Sequence, residues 1–394
     1  MDLKKIKIRD FDRKDVKEIL CLWQNIFSYD ENTIKILKDM IEADKEKNVF
    51  NIRIMEYKNK IIGTTCIKKR LIKFGKSFLL CGDVGYVAVS PEFQGQGLGT
   101  RLMEDNSQYL FKNNFHISRL GGLHRFYKRF GYIPVTSKYW QFNIKDIKAG
   151  NKKFSFEEII KVSDEDLNCI GEMNKLTDWE ECVKIEEKCH YESFGYEPLI
   201  SPFISLQLKR KFDEEIKRFV YERNRKILTF IMIYNWELIF SYGYLPEYKN
   251  EFVVLLKYVL TKAKYMHKNS VRALFPCDEE LADILLKNNI EFEIVEHYDS
   301  IAGNMIKIVD IGKTLEALTP EIRRLSSNIG KLIIDFSDIE RTFILNLNEN
   351  IDKEVKLNIS IKEFIQWLKG SNINLKTIKD KISFYLGYPK YTEF

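Results

Sequence analysis

Residues 84–102 read VGYVAVSPEFQGQGLGTRL, and this stretch decides the fold of the segment around it. An apolar run ends at Val89, the chain turns at Pro91, and an amphipathic helix follows. The turn enters the helix through three alternating glycines: Gly95, Gly97 and Gly99. Backbone N–H groups at a helix start, together with the positive end of the helix dipole, attract anions. Glycine lets a diphosphate come close to that backbone. The stretch therefore predicts an anion site between a strand and a helix.

The flanking sequence completes one α/β unit, for which we predict the boundaries 1–150. Apolar periodicity predicts, before the glycine turn, a strand at 5–9, a helix from Asp15 to Phe27, and strands near 48–56, 61–74 and 77–89. After the turn it predicts a helix from Gly97 to Asn113, a strand at 116–120, a helix at 123–130 and a strand at 131–144.

Two further units are predicted downstream, at 151–300 and 301–394. The 151–300 unit repeats the first order of strands and helices loosely. The loop before its long helix reads LPEYK at 245–249 and contains no glycine, so we expect no anion site there. The 301–394 unit mixes strands and helices, and Ser360 with Glu363 forms a capping box at the start of its last predicted helix.

Composition narrows the class of protein. The chain has 394 residues, 45% hydrophobic and 30% charged, with a formal net charge of +6. So small an excess predicts neither a nucleic-acid nor a membrane partner. The sequence shows no signal peptide and no apolar run of membrane-spanning length, so we expect a cytoplasmic protein. The seven cysteines include no CxxC pair, and Cys182, Cys189 and His190 lack a fourth ligand, so we expect no metal site.

The glycine stretch resembles motif A of the GNAT (Gcn-related N-acetyltransferase) superfamily, Q/R-x-x-G-x-G/A after a V-x-P turn. The resemblance implies that the co-substrate is acetyl-CoA. It places the pantetheine arm on the backbone of the fourth strand, at Val87, Ala88 and Val89. It places the pyrophosphate among Gln94, Gly95, Gln96, Gly97, Leu98, Gly99, Thr100 and Arg101.

Residues 123–132, LHRFYKRFGY, resemble motif B of the same superfamily. The family tyrosine, which protonates the departing CoA thiolate, matches Tyr127. A phenol with a pKa of about 10 can donate a proton to a thiolate of pKa about 8.5 without being ionised at neutral pH. Packing on the cofactor is the alternative role for this ring. The sequence has Lys128 where the family often has glycine.

The order and length of the whole chain resemble the Eis (enhanced intracellular survival) acetyltransferases. The resemblance implies an α/β (α+β) fold: two tandem GNAT-like mixed-sheet units, the second degenerate, followed by a sterol-carrier-protein-like α+β domain. It also implies a homo-oligomer. The chain ends in Tyr391-Thr392-Glu393-Phe394, and members of that family bring their C-terminal carboxylate into the active site as general base. This makes the Phe394 carboxylate the expected base, with Glu393 lining the amine pocket.

The expected reaction is direct acetyl transfer to a primary amine on a small molecule, such as an aminoglycoside or another polyamine-like compound, or on a lysine side chain. Asp83, on the fourth strand, is an alternative base. For His124 a solvated helix face is favoured over a role as base, and Asp30 and Glu31 fit either the amine pocket or the surface. A non-catalytic acyl-CoA-binding or sterol-carrier-like binding protein is the alternative function, since it needs the glycine loop but neither Tyr127 nor a defined terminus.

Overall fold

The computed structural model describes residues 5–46, 49–145, 147–149, 152–154, 156, 161–173, 178–190, 193–202, 216–274, 279–368 and 390–391. The strands up to residue 154 are β1 Lys7–Asp10, β2 Phe50–Tyr57, β3 Lys60–Phe74, β4 Ser77–Val89, β5 Ile117–Leu123, β6 Ile133–Pro134, β7 Ser137–Asn143, β8 Ile147–Ala149 and β9 Lys152–Phe154. The later strands are β10 Ile170–Glu172, β11 Ser193–Tyr196, β12 Ile216–Arg223, β13 Lys226–Tyr234, β14 Leu238–Tyr244, β15 Ser270–Ala273, β16 Glu293–His297, β17 Ala302–Ile308, β18 Lys331–Phe336, β19 Arg341–Asn346, β20 Glu354–Ile359 and β21 Lys390–Tyr391. The helices are α1 Val16–Phe27, α2 Glu31–Ala43, α3 Leu98–Lys112, α4 His124–Tyr127, α5 Asp164–Leu167, α6 Trp179–Cys189, α7 Lys249–Tyr265, α8 Glu279–Lys287, α9 Ile311–Leu325 and α10 Ile361–Leu368.

The first sheet has the order β1-β2-β3-β4-β5-β17-β6, with β11 attached to β3 and β21 attached to β11. Its β2–β3 hairpin turns through Lys58 and Asn59, both in the left-handed region, which gives the twist that paired strands prefer. Helix α3 packs on one face, where Leu110 fills the space beside Gly82. Helices α1 and α2 cover part of the other face through their apolar stripes.

The second sheet has the order β10-β12-β13-β14-β15-β7-β16, and helix α7 packs on it. Four strands cross the predicted unit boundaries, since β11 and β21 also join the first sheet from later units. Strand β7 belongs to the first 150 residues but pairs with β15 and β16 in the second sheet. Strand β17 lies beyond residue 300 but pairs with β5 and β6 in the first sheet. The first sheet therefore includes three strands from outside its own stretch of sequence, and the second sheet includes one.

The third unit is a small sheet of order β19-β18-β20 with helices α9 and α10. Its core is continuous with the first sheet, because Ile72, Leu79 and Cys81 pack into one cluster with apolar residues of α9 and β18. Two large mixed sheets followed by a small α+β unit confirm the predicted fold class. The likeness of the third unit to a sterol-carrier domain stays a prediction.

Two local predictions differ from the structure. Helix α2 was not predicted, although Asp30 caps it by accepting a hydrogen bond from the Thr33 backbone N–H at 2.7 Å. The single strand predicted at 131–144 is broken into β6 and β7, because the chain leaves the first sheet to join the second. Among the described residues, no helix has both the length and the apolar content needed to span a bilayer.

Candidate active site

Strands β4 and β5 separate in the middle of the first sheet. They pair in parallel only from Cys81–Val84 with Ile117–Leu120, although both strands continue beyond those residues. The separation coincides with a β-bulge, because Tyr86 has φ of +52° and the β3–β4 register shifts there. The Tyr86 ring stacks on Trp23 with centroids 4.2 Å apart, which holds this uncommon backbone conformation against α1. Beyond Val84, β4 still pairs with β3 on one edge, and its other edge faces an opening where β5 has separated from it.

The opening leads to the glycine loop. Gly95 and Gly97 have φ of +74° and +78°, and Gly97 caps the start of α3. A Cβ at either position would meet nothing within 4 Å, so the backbone conformation and not crowding makes glycine necessary there. A Cβ on Gly99 would lie 3.4 Å from the Phe126 ring, so this glycine allows α4 to approach α3. Amides of the first turn of α3 have no acceptor inside the helix and are available to an anion.

A cleft of about 660 Å³ joins the strand separation to the glycine loop. Its walls include most of the predicted cofactor residues: Val87, Val89, Gln94, Gly95, Gly97, Leu98, Gly99 and Thr100. Three predicted residues are not in the wall. Ala88 is buried against α1 and α2 because strand side chains alternate between faces. Gln96 turns back to the Glu92 carbonyl at 3.5 Å, and Arg101 lies further along α3.

The far wall of the cleft contains residues that the sequence analysis did not assign: Gly122, Leu123, Phe126 and Arg129. Phe126 and Arg129 lie close to Tyr127 in motif B. Their spacing around that tyrosine is the sequence feature that could have predicted their place in the cleft wall. The Arg129 guanidinium lies over the Phe126 ring at 4.9 Å and is thereby held at the mouth of the cleft.

Tyr127 ends α4 and lies in the same wall. A Cβ on Gly122 would be 2.3 Å from the Tyr127 ring, so the glycine makes room for it. Burial raises the pKa of the Tyr127 phenol, which therefore keeps its proton at neutral pH. Within the described part of the chain, no residue hydrogen-bonds to its hydroxyl. The geometry leaves this O–H available as a proton donor into the cleft.

A charge cluster lies on the other face of the sheet, where β4 and β5 begin to separate. It consists of Lys68, Arg70, Asp83, Arg119 and Glu197. Asp83 contacts Arg70 Nε at 2.8 Å and Lys68 Nζ at 3.3 Å. Burial alone would raise the pKa of Asp83, but the three cations outweigh it and hold that pKa well below its usual value. A carboxylate stabilised in this way is a weak base.

The remaining candidates are placed as follows. His124 is 3% exposed with neither ring nitrogen hydrogen-bonded, so the expectation of a solvated helix face was wrong. Asp30 caps α2. Glu393 and Phe394 lie outside the described residues. The last described strand, β21, pairs in parallel with β11, which in turn joins β3.

Among its described residues, the second sheet has no comparable loop. In the corresponding position, a 3₁₀ turn at Pro246–Tyr248 leads directly into α7, and no left-handed residue separates them. This agrees with the absence of glycine from residues 245–249. The glycine-lined cleft thus belongs to the first sheet.

Comparison with known proteins gives the class of the first unit. Residues 7–135 match the sequence family described as acetyltransferase (GNAT) domain. No protein with a curated description matches the sequence. Over residues 7–135 the first unit is thus similar to GNAT acetyltransferase domains.

Solved structures extend the likeness to nearly the whole chain. A GCN5-related N-acetyltransferase from Anabaena variabilis ATCC 29413 superposes with a TM-score of 0.65 at 14% identity, covering 99% of this chain and 100% of that one. A conserved protein of unknown function from Enterococcus faecalis V583 gives 0.64 at 13%, covering 99% of both chains. Eis1 from Mycobacterium abscessus gives 0.54 at 12%, covering 93% and 90%. At these identities the likeness is one of fold.

We expect Arg129 to bind a phosphate group of the co-substrate, because a guanidinium at the mouth of the cleft can pair with an anion bidentately. Arg129→Gln should weaken acetyl-CoA binding roughly 10-fold, the scale of one charged hydrogen bond. Calorimetry with CoA and with dephospho-CoA identifies the phosphate: if Arg129 binds the 3′-phosphate, the variant loses affinity for CoA only. Unchanged affinity for both ligands would show that Arg129 only packs on Phe126.

Proposed function

We propose that the protein is an acetyl-CoA-dependent N-acetyltransferase that transfers acetyl directly to a primary amine. The observation that carries the proposal is the continuous cleft from the β4–β5 separation to the left-handed glycines, with the protonated Tyr127 in its wall. Strand-like backbone beyond Val84 suits the amide groups of a pantetheine arm, and the start of α3 suits a pyrophosphate.

The reaction follows from these positions. Backbone N–H groups of β4 near Val87 polarise the thioester carbonyl, and a deprotonated amine attacks its carbon. The base holds the proton lost by the ammonium, a C–N bond forms, and the C–S bond breaks as the thiolate takes the Tyr127 proton. The second proton lost by the nitrogen, as the amide forms, returns to the Tyr127 phenolate. Holding both substrates together removes much of the entropic barrier, so the transfer requires no covalent enzyme intermediate.

The base in this proposal is the C-terminal carboxylate of Phe394, with Glu393 beside the amine. Strand β21 attaches this part of the chain to the first sheet, since Tyr391 pairs with Phe194 of β11 and Phe194 pairs with Phe74 of β3. The low pKa of Asp83 also supports the terminus as the better base.

Changing the end of the chain tests this base. Adding a few residues after Phe394 converts the carboxylate to a neutral amide, and we expect kcat to fall at least about 100-fold, the lower end for loss of a general base. Deleting Phe394 should have a similar effect, and acetyl-CoA affinity should be retained in both variants. Asp83→Asn is the matched comparison and should be milder. A harmless C-terminal extension together with an inactive Asp83→Asn would assign the base to Asp83.

The function itself is tested by turnover. Purified protein, acetyl-CoA and a thiol reagent are combined with a panel of amines that includes an aminoglycoside, a polyamine and a lysine peptide. Amine-dependent release of CoA, with the acetylated amine seen by mass spectrometry, is the expected result. Tight acetyl-CoA binding without turnover on any amine would instead favour the non-catalytic binding protein. Light scattering tests the proposed homo-oligomer.

A further inference from the structure

The charge cluster has an excess of positive charge beside the proposed reaction site. It contains the three cations Lys68, Arg70 and Arg119 and the two carboxylates Asp83 and Glu197. The side chains of all five are between 11% and 17% exposed, so water screens them poorly but a ligand can still reach them.

The two carboxylates of the cluster are already engaged. Arg70 binds both, with Nε 2.8 Å from Asp83 and Nη1 2.5 Å from Glu197. The second oxygen of Glu197 accepts a hydrogen bond from Ser201 at 2.8 Å. Lys68 lies 3.3 Å from Asp83. These contacts fix the anions on Arg70 and Lys68.

Arg119 is held differently. Its Nη2 lies 3.7 Å from Asp83 and 3.6 Å from Glu197, distances longer than a hydrogen bond. A guanidinium has five N–H donors, and within the described part of the chain Arg119 donates none of them at hydrogen-bond distance. A largely buried arginine with spare donors and two longer ion pairs is suited to an additional anion.

The position of Arg119 places its unused N–H donors where the acceptor would approach. Arg119 is in register with Asp83 and immediately precedes Leu120, which forms the last β4–β5 pair before the strands separate. Its side chain lies on the face opposite α3, since Gly82, one residue before Asp83, faces Leu110 of that helix. The proposed co-substrate site is at the start of α3, so an acceptor approaching from the opposite face of the sheet meets Arg119.

We propose that the acceptor amine carries an acidic group, a carboxylate or a phosphate, that binds Arg119. This inference rests on the proposed acetyltransferase function and narrows its substrate class. The favoured acceptors are therefore small amino acids or amino phosphates whose amine and acid lie a few bonds apart.

Matched pairs of amines test the acidic group. We compare 4-aminobutyrate with 4-aminobutanamide and O-phosphoethanolamine with ethanolamine, adding spermidine and an aminoglycoside as polycations. The acidic member of at least one pair should have a higher kcat/KM by roughly 10- to 100-fold, the scale of charged hydrogen bonds. The pair with the larger ratio distinguishes carboxylate from phosphate. Higher kcat/KM for the polycations or the neutral amines would overturn the inference.

Variants of Arg119 test the residue. Arg119→Gln should raise KM for the acidic acceptor roughly 10- to 100-fold, with little change for its neutral partner or for acetyl-CoA. Arg119→Lys should be intermediate, because it keeps the charge but loses the planar fork. Arg272→Gln, at an exposed position on the second sheet, is the matched control and should behave as the parent.

Three outcomes separate the hypotheses. Loss of selectivity for the acid in Arg119→Gln supports the inference. An equal fall in kcat for every acceptor contradicts it and would assign Arg119 to a shared step, such as holding the C-terminal carboxylate. No CoA release with any amine, despite acetyl-CoA binding, contradicts the proposed function itself.

Discussion

A Gly97→Glu variant should lose at least about 100-fold in affinity for acetyl-CoA. Gly97 stands in the left-handed region at the start of α3, where the proposed pyrophosphate binds. A carboxylate there replaces attraction with repulsion. Two unit charges about 4 Å apart interact by about 4 kcal/mol at the effective dielectric constant of a protein surface, and each 1.4 kcal/mol changes affinity tenfold. Calorimetric titration with acetyl-CoA measures the effect directly.

The Gly97→Asn variant separates the effect of the added charge from the effect of replacing glycine at a positive φ. Asparagine tolerates a positive φ better than other non-glycine residues and carries no net charge. It should keep affinity within about tenfold of the parent, because the amides of α3 stay in place. Thermal melting of both variants checks that the fold persists. If the parent and Gly97→Glu bound acetyl-CoA with equal affinity, the pyrophosphate would not bind at this loop.

Tyr127→Phe should lower kcat by roughly 10²- to 10⁴-fold, the usual effect of losing a general acid. The ring and its packing against Gly122 and Phe126 remain, so acetyl-CoA affinity should change little. Burial raises the pKa of the parent phenol, so its deprotonation should not appear as a limb in the pH–rate profile below about pH 10. Single-turnover kinetics separates the chemical step from binding.

Gly122→Ala is the companion variant for the tyrosine. The added methyl group would lie 2.3 Å from the Tyr127 ring and must displace it. Turnover should therefore fall although the hydroxyl is still present. If Tyr127→Phe were as active as the parent, the ring would be a packing element and the thiolate would take its proton elsewhere, for example from water.

The glycine loop could be predicted from the sequence because its constraints are local. Residues that are neighbours in the sequence determine both the left-handed backbone at Gly95 and Gly97 and the helix start at Leu98. The charge cluster could not be predicted in the same way. Its five members come from β3, β4, β5 and the segment after β11, and only the sheet register brings them together. Nothing in the spacing of Arg70, Arg119 and Glu197 indicates that they meet.

The exchange of strands between the two large sheets could not be predicted from the sequence, for a related reason. By its own pattern, an alternating apolar strand such as β7 fits either sheet equally well. Which sheet it joins depends on partners far along the chain, at β15 and β16. Helix α2 differs, because a local signal for it is present in the sequence: Asp30 is a suitable N-cap residue, although it also fits the surface or the amine pocket.

The borrowed strands also set the order in which the protein is completed during synthesis. The first sheet lacks the strand beside β5 until β17 has left the ribosome, more than 170 residues after β5 itself. Until then β5 presents an open edge, and exposed edges are sites of mispairing. During the same period β7 has no partner strands, because β15 and β16 are synthesised later. The first half of the nascent chain therefore cannot complete its folding before the second half has been synthesised. We expect the two halves to complete their folding together. The early intermediate, with its open strand edge, is the stage at which a chaperone would protect the chain most.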